Sequence, residues 1–214
     1  MGCCLCWRRL GDSSEIQDQL KGVKQVHATS RAFAAILDDG SVLTWGDPTC
    51  GGNSSAAQDQ LTGVQKIHGT SGAFAAILAD GDGFVVAWGF SRSGGGSSEV
   101  QDQLKGVEQV QGTFQAFAAI LADGSVVTWG TAHAGGESSE VQSPFKGVQL
   151  VQATSNAFAA ILADESVVTW GAGGPLVKIR LKSEQHTGKA FVLTSRPFIV
   201  TWACEARGHH NVQF

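Results

Sequence analysis

The chain has 214 residues, 43% of them hydrophobic, so it is long enough to bury a core and its composition excludes an intrinsically disordered protein. The net charge of −4 argues against a broad nucleic-acid-binding surface, and no apolar run approaches the ~20 residues of a membrane-spanning helix. Residues 1–175 contain 9 Lys and Arg against 17 Asp and Glu, which leaves residues 176–214 basic. We therefore expect a soluble intracellular protein, cytoplasmic or nuclear.

The N-terminal Met-Gly-Cys-Cys sequence has two interpretations. Myristoylation of Gly2 together with palmitoylation of Cys3 or Cys4 would provide the two lipid signals that stable membrane anchoring requires. Alternatively, residues 2–7 are a degenerate strand, because they align with residues 124–129 farther along the chain. Both interpretations stay open at this point, and the membrane is an expected location only if the first is correct.

Internal repeats account for almost the whole sequence. Successive tryptophans are separated by 43, 41 and 41 residues, at Trp45, Trp88, Trp129 and Trp170. Successive phenylalanines are separated by 41, 43 and 41 residues, at Phe33, Phe74, Phe117 and Phe158. A short insertion near residue 81 explains the longer interval in each series, so the period is 41 residues. We predict a single repeat domain over 1–214, with a partial unit at 1–20, four full units at 21–175 and a degenerate basic unit at 176–214.

Each full unit follows the same order of parts. A Gly-Val pair begins a short strand, as at residues 106–110, and a hairpin such as residues 116–130 comes next. In that hairpin Asp123-Gly124 separates two apolar runs, which predicts a two-residue type I′ turn between two strands. A glycine-rich loop and a Ser-Ser pair close the unit. The pattern gives three strands per unit, with room for a fourth.

The predicted hairpin strands carry apolar side chains on both sides, so a single sheet cannot bury them alone. Paired alanines on the first hairpin strand would allow neighbouring sheets to approach closely, and each tryptophan would fill the gap between them. Radial stacking of such sheets gives an all-β, β-propeller-like fold with about five blades, or an open arc. We expect residues 15–20 to pair with the last unit, which would close the ring and give a monomer. An open arc would expose apolar sheet sides and favour dimerisation.

The unit resembles the repeats of the regulator of chromosome condensation family, through the sequence Ala-Phe-Ala-Ala-Ile-Leu-x-Asp-Gly-Ser-Val-x-Thr-Trp-Gly and the glycine-rich loop after it. The resemblance covers roughly residues 11–174 and implies a β-propeller. It also suggests two roles known in that family. One is nucleotide exchange on the small GTPase Ran. The other is that of the propeller domains in HERC ubiquitin ligases, where a separate HECT domain is catalytic. No segment of this chain matches a HECT domain.

We find no catalytic, cofactor or metal site in the sequence. His27 and His68 occupy one repeat position, where later units have Gln111 and Gln152, so they mark either a ligand-binding position or an ordinary polar one. The loops after the tryptophans vary most between units and should emerge on one rim, the usual place for a partner site on a repeat scaffold. The candidate partner-binding residues in these loops are Asp47, Thr49, Phe90, Arg92, Thr131 and His133.

The function predicted from these observations is a non-catalytic protein–protein interaction scaffold. Its partners would be other proteins, with a small GTPase or a component of the ubiquitin pathway as the candidates that the family resemblance suggests. Two alternatives stay open: a guanine nucleotide exchange regulator of a small GTPase, and a fragment or relative of a HERC-type ubiquitin ligase without its HECT domain.

Overall fold

The computed structural model describes residues 13–79, 82–139 and 147–172, together with strands at 176–180, 191–195, 198–204 and 210–213. The chain divides into two compact units, Met1–Ile179 and Arg180–Phe214, which are described separately. Gly2, Cys3 and Cys4 lie outside the described residues, so their acylation stays a prediction. Within the described ranges, the structure has no helix long and apolar enough to cross a membrane.

Four antiparallel sheets of the first unit repeat one arrangement, and we call them blades 1 to 4. Blade 1 contains β1 (Val23–Ala28), β2 (Ala32–Leu37) and β3 (Val42–Gly46); blade 2 contains β4 (Val64–Gly69), β5 (Ala73–Leu78) and β6 (Val85–Gly89). Blade 3 contains β7 (Val107–Gly112), β8 (Ala116–Leu121) and β9 (Val126–Gly130); blade 4 contains β10 (Val148–Ala153), β11 (Ala157–Leu162) and β12 (Ser166–Gly171), and β13 (Leu176–Arg180) adds a fourth strand to it. The predicted all-β repeat architecture is confirmed.

The second unit contains one antiparallel sheet with the strand order β14 (Phe191–Ser195), β15 (Phe198–Cys204) and β16 (His210–Gln213). In this sheet Phe191 is paired with Trp202. The same Phe–Trp pairing joins the second and third strands of every blade, for example Phe117 with Trp129. The degenerate C-terminal segment therefore keeps the hairpin register of the full units.

The hairpin turn differs from the sequence prediction. In blade 3 the amide of Gly124 donates to the carbonyl of Leu121 at 2.8 Å, and the amide of Leu121 donates to the carbonyl of Ser125 at 2.9 Å. The loop therefore has three residues, and only its glycine has a positive φ, of 75°. The two-residue type I′ prediction was wrong because the Asp123 side chain accepts hydrogen bonds from the amide and hydroxyl of Ser125, at 2.9 and 2.6 Å. This Asx-type cap stabilises the longer loop.

Each blade has two apolar sides with different residues. The leading side carries the Phe–Trp pair and the valine or isoleucine residues of the first strand, and in blades 2 to 4 it packs against the trailing side of the preceding blade. The trailing side presents Ala-x-Ala-x-Ile from the second strand. In the cluster between blades 1 and 2, Ala34 and Ile36 of the trailing side meet Ile67, Phe74 and Trp88 of the leading side, all 5% exposed or less. The small alanines allow this close approach, as predicted.

A tryptophan, a glycine and a phenylalanine join each blade to the one before it. The Trp129 indole stacks on Phe117, with ring centroids 5.2 Å apart, and its Nε1 donates to the carbonyl of Gly94 at 3.0 Å. Gly94 belongs to the loop of the preceding blade and has a φ of +88°. A Cβ at this position would lie 2.6 Å from Phe117 Cδ2. The same bond and the same close approach recur between the other blades, at Trp88 with Gly51 and Trp170 with Gly135.

The glutamine-rich segments between blades form 3-10 turns, at Gln58–Gln60 and Gln101–Gln103. Residues 15–20 also form turns and not a strand. A 3-10 turn spans Ser14–Ile16, and the Leu20 amide then donates to the Ile16 carbonyl. The prediction of a closing strand at residues 15–20 was therefore wrong. The segment repeats a connection that the later units use, and such a connection is not a strand.

The glycine contacts predict different effects for two substitutions in one loop. Gly94→Ala should destabilise the fold, by ~1–2 kcal/mol for the left-handed backbone and ~1–3 kcal/mol for overpacking against Phe117. Gly96→Ala is the control, because a Cβ there meets nothing within 4 Å, and it should change the free energy of unfolding by less than about 0.5 kcal/mol. Urea denaturation measures both, and equal effects would contradict the proposed role of Gly94.

The turn of blade 4 predicts a stabilising substitution. Glu165 occupies the position of the turn glycine and has a φ of 62°, the only positive value of a non-glycine residue in the described chain. Glu165→Gly should raise the free energy of unfolding by about 1 kcal/mol or less, because relief of the strained backbone is partly offset by the larger entropy of an unfolded glycine. Gly124→Ala, the reverse change in blade 3, should lower it. Thermal or urea unfolding tests the pair, and a destabilised Glu165→Gly would show that no strain is stored there.

Candidate functional site: the loop face

The loops after the third strands and the bends between the first two strands lie at the same end of the blades. In blade 1 the Asp47 amide donates to the carbonyl of Arg31 at 2.9 Å, and in blade 2 the Phe90 amide donates to Gly72 at 2.8 Å. Blade 3 has the equivalent bond from Thr131 to Gln115, at 2.9 Å. We call the surface formed by these bends and loops the loop face. The three variable loops lie at this end of the blades, and their role as a partner site stays a prediction.

The bends are also hydrogen-bonded from blade to blade. The Ser30 amide donates to the Ser71 carbonyl at 3.0 Å, and the Ser71 amide donates to the Phe114 carbonyl at 3.0 Å. The Phe114 amide then donates to the Ser155 carbonyl at 2.7 Å. One bond per junction thus fixes the positions of successive bends, so side chains on different blades are held in a defined relation to one another.

In blades 1 to 3 a threonine at one repeat position attaches the bend to its loop. The Thr70 hydroxyl donates to the Ser93 carbonyl at 2.8 Å and accepts from the Ala73 amide at 3.1 Å. Thr113 makes the equivalent bonds to Ala134 and Ala116. The sequence analysis missed these threonines, although their repetition at positions 29, 70, 113 and 154 was a usable signal. Thr70 and Thr113 are buried, so they rigidify the loop face without contributing to its exposed surface.

Asp47 and Thr49, two predicted partner-binding residues, have a structural role in blade 1. Asp47 caps the 3-10 turn Pro48–Cys50 by accepting from the amide and hydroxyl of Thr49, at 2.9 and 2.6 Å. Hydrogen bonds from Thr49, with a smaller contribution from the Arg31 guanidinium 3.5 Å away, hold the pKa of Asp47 below its ordinary value. The carboxylate is therefore engaged within the loop, while the Thr49 side chain stays exposed.

The predicted partner-binding residues in the loops of blades 2 and 3 also divide into one that is bonded within the fold and others that are exposed. Thr131 is half-buried, and its hydroxyl donates to the Arg92 carbonyl in the neighbouring loop. The side chains of Arg92 and His133 are exposed and occupy the same position in consecutive loops. Thr131 thus holds two loops together, whereas Arg92 and His133 are available to a partner.

Two phenylalanines form the exposed apolar part of the loop face. Phe90 is 45% exposed and Phe114 is 52% exposed. Both lie against the dipeptide at positions 71 and 72, because the Phe90 amide bonds to Gly72 while the Phe114 carbonyl accepts from the amide and hydroxyl of Ser71. The sequence analysis selected Phe90 and missed Phe114. The signal for Phe114 was an aromatic residue at a bend position where the other units have serine, at Ser30, Ser71 and Ser155.

Clefts open between consecutive loops. The larger cleft has a volume of about 790 Å³ and lies between the loops of blades 1 and 2, where Thr49 and Phe90 line it above Trp88. A smaller one of about 520 Å³ lies between the loops of blades 2 and 3 and is lined by Ser91 and Glu137. Repetition of the same cleft from blade to blade follows from the repeated loop conformation.

The structure also brings His27 and His68 together, on the neighbouring first strands β1 and β4. His27 Nε2 lies 3.3 Å from Gln25 Oε1. Burial lowers the pKa of both histidines, and repulsion from His27 and Lys66 lowers the pKa of His68 further. Both rings therefore favour the neutral form. In the described part of the chain no three His, Cys, Asp or Glu side chains are grouped to hold a metal ion.

No family model and no curated protein matches the chain. Its fold is similar to that of Prp20p from Saccharomyces cerevisiae, with a TM-score of 0.52 and 14% identity over 85% of this chain and 58% of that chain. Yeast RCC1 (Prp20) bound to Kap60 gives a TM-score of 0.54 and 14% identity over 88% of this chain and 57% of that chain. The WD40 ectodomain of the Arabidopsis thaliana receptor kinase ACR4 is 23% identical over 74% of this chain and 54% of that chain, with a TM-score of 0.47.

The chain thus spans a little over half the length of the structures that it matches. The likeness to the yeast protein confirms the predicted propeller fold, an arrangement of the kind seen in RCC1. At 14% identity it concerns the fold alone.

The neutral histidine pair predicts a pH-dependent stability. Because the folded-state pKa values lie below the unfolded value of about 6.5, the pair's contribution is fully present above that pH and is lost as the pH falls through the folded values. A His27→Gln and His68→Gln double variant, which takes the residue of positions 111 and 152, should lose less stability between pH 7.5 and about pH 5.5 than the natural chain. His133→Gln, on the exposed loop face, is the control, and urea unfolding at both pH values is the measurement. An unchanged pH dependence in the double variant would contradict the prediction.

Proposed function

We propose that this protein is a non-catalytic protein–protein interaction scaffold whose binding surface is the loop face. The observation that carries the proposal is the pair of exposed phenylalanines, Phe90 and Phe114, whose backbones are hydrogen-bonded to the neighbouring residues Gly72 and Ser71. Exposed aromatic side chains on a rigid backbone are typical of interface anchors, because they bury a large area on binding and lose little conformational entropy.

The surroundings of the two phenylalanines support a protein partner. Arg92 lies two residues beyond Phe90, and His133 follows in the next loop; both are exposed. The cleft of about 790 Å³ adjoins Phe90 and offers a concave surface for a side chain of the partner. An apolar centre with a polar and cationic border matches the usual organisation of a protein interface. We therefore expect a partner that presents an apolar side chain next to acidic or hydrogen-bonding groups.

A second candidate function is regulation of a small GTPase. The solved structure of Prp20p, whose fold this chain shares, is described together with its binding to Gsp1p and histones. The family resemblance in the repeat sequence points to the same class of partner. Acceleration of nucleotide release from small GTPases by the purified chain would support this candidate, and the loop-face variants below would show whether the same surface is used. A HERC-type context, with a catalytic domain elsewhere, is a third candidate that a longer transcript would support.

The loop-face proposal predicts the effect of two substitutions that the repeat itself supplies. Phe114→Ser introduces the residue of the other bends, and Phe90→Thr introduces the residue of position 131, so the fold should be retained. In proximity labelling in the native cell, the double variant should lose its specific partners at least about tenfold, because aromatic anchors often contribute more than ~2 kcal/mol each.

Lys105→Ser is the matched control for this experiment. Lys105 is exposed and precedes β7, at the opposite end of the strand from the bend. The control should label the same proteins as the natural chain. If the double variant keeps all of them while its circular dichroism stays native, the loop face is not the binding surface.

A further inference from the structure

The two clefts between the loops are built in the same way. We call them the first cleft, between the loops of blades 1 and 2, and the second cleft, between the loops of blades 2 and 3. Trp88 lines the first cleft, and its repeat equivalent Trp129 lines the second. Four residues of the blade 2 loop line both clefts: Ser91, Gly96, Ser97 and Ser98. The clefts therefore lie next to each other and share this loop as a wall.

The clefts differ in charge at two equivalent positions. The first cleft has Ala56 on one wall and Gly96 on the other, and its described lining contains no charged side chain. At the same repeat positions the second cleft has Glu99 and Glu137, which are both exposed. No lysine, arginine or histidine is among the described residues that line it. The first cleft is thus neutral and lined by the exposed Phe90, whereas the second presents carboxylates from both walls.

Neither of these carboxylates is neutralised within the part of the chain that the structure describes. The one ion pair there joins Arg31 to Asp47, outside the second cleft. Glu137 Oε1 accepts from the Ser139 amide at 2.9 Å, which holds the carboxylate in place without cancelling its charge. Charge complementarity between the two sides of an interface favours opposite charges. The second cleft therefore suits a cationic side chain, and the first suits an apolar one.

We infer that the two clefts bind one extended segment of a partner protein, which places an apolar side chain in the first cleft and a lysine or arginine side chain in the second. The inference rests on the proposed function and specifies the partner's chemistry. The segment is extended because its side chains must enter clefts on either side of one loop. A Cβ at Gly96, which lines both clefts, would meet nothing within 4 Å, so the segment has room to cross the loop there. The acidic or hydrogen-bonding groups expected next to Arg92 and His133 are further groups of the same partner.

The experiment uses fluorescein-labelled Gly-Ser peptides that contain one leucine and one arginine, in a series that varies the spacing between the two. A matched series has glutamate in place of arginine. With the purified full chain, at least one leucine–arginine peptide should bind about tenfold more tightly than its glutamate counterpart, because the carboxylates of the second cleft attract arginine and repel glutamate. Fluorescence anisotropy measures both affinities. The difference should shrink as the NaCl concentration is raised, because salt screens these charges.

The double variant Glu99→Ala and Glu137→Asn removes both carboxylates with residues that the repeat itself supplies. Alanine is the residue at the equivalent position Ala56. Asn53, the equivalent of Glu137, accepts from the Ser55 amide at 2.9 Å, so asparagine keeps the loop hydrogen bond that Glu137 makes. The fold should therefore be retained. The variant should bind the arginine and glutamate peptides with affinities within about threefold of each other, the range expected when only weak surface electrostatics are left.

Asp18→Asn with Glu108→Gln is the matched control. It also removes two exposed carboxylates, but neither residue lines a cleft. Glutamine is the residue equivalent to Glu108 in blades 2 and 4. The control should keep the preference for the leucine–arginine peptide, because the attraction comes from the second cleft and not from the net charge of the chain.

A natural chain that binds no leucine–arginine peptide more tightly than its glutamate counterpart would overturn the inference. A preference that survives in the Glu99→Ala and Glu137→Asn variant would overturn it too. In either case the proposed function stands if the Phe90→Thr and Phe114→Ser variant still loses its partners in proximity labelling. If that variant keeps its partners as well, both proposals are rejected.

Discussion

The close contact between a glycine loop and the Phe–Trp pair of the next blade is the constraint on which this structure depends. A sheet with two apolar sides is unstable alone, so each blade needs a neighbour at a fixed distance. The positive φ of Gly94 and the absence of a Cβ let its backbone touch the ring of Phe117, and the Trp129 indole bonds to the carbonyl of the same residue. One residue therefore sets both the spacing and the lateral position of successive sheets.

This arrangement explains why the loops vary on one side only. Gly51, Gly94 and Gly135 cannot change without disturbing the junction, and the bend threonines hold the bases of the loops. The side chains two to four positions after each tryptophan take no part in this glycine contact. They are free to differ, and at these positions blade 2 acquires an exposed phenylalanine and an exposed arginine. Rigid support and variable side chains are thus consequences of the same packing requirement.

Much of the fold could be predicted from the 41-residue period, because repeated Phe, Ala-Ala and Trp positions define strands, packing sides and junctions together. The errors concern local hydrogen bonds that the period does not reveal. The hairpin loop is longer than predicted because the Asp123 carboxylate binds the Ser125 amide and hydroxyl. Residues 15–20 form a turn because they repeat a connection and not a strand. In both cases a short polar side chain or a main-chain bond decided the conformation.

The candidate site was only partly predictable, because variation between the loops does not distinguish exposed side chains from hydrogen-bonded ones. Variation between loops led to Phe90, Arg92 and His133, which are exposed, and equally to Asp47 and Thr131, which are engaged in hydrogen bonds within the fold. Phe114 lies in a short bend outside the loops, so loop variation could not reveal it. A repeat position informs on function when its residue both departs from the other units and gains exposed apolar area by doing so. Phe90 and Phe114 meet both conditions, and the backbones of both are hydrogen-bonded to the same dipeptide, Ser71-Gly72.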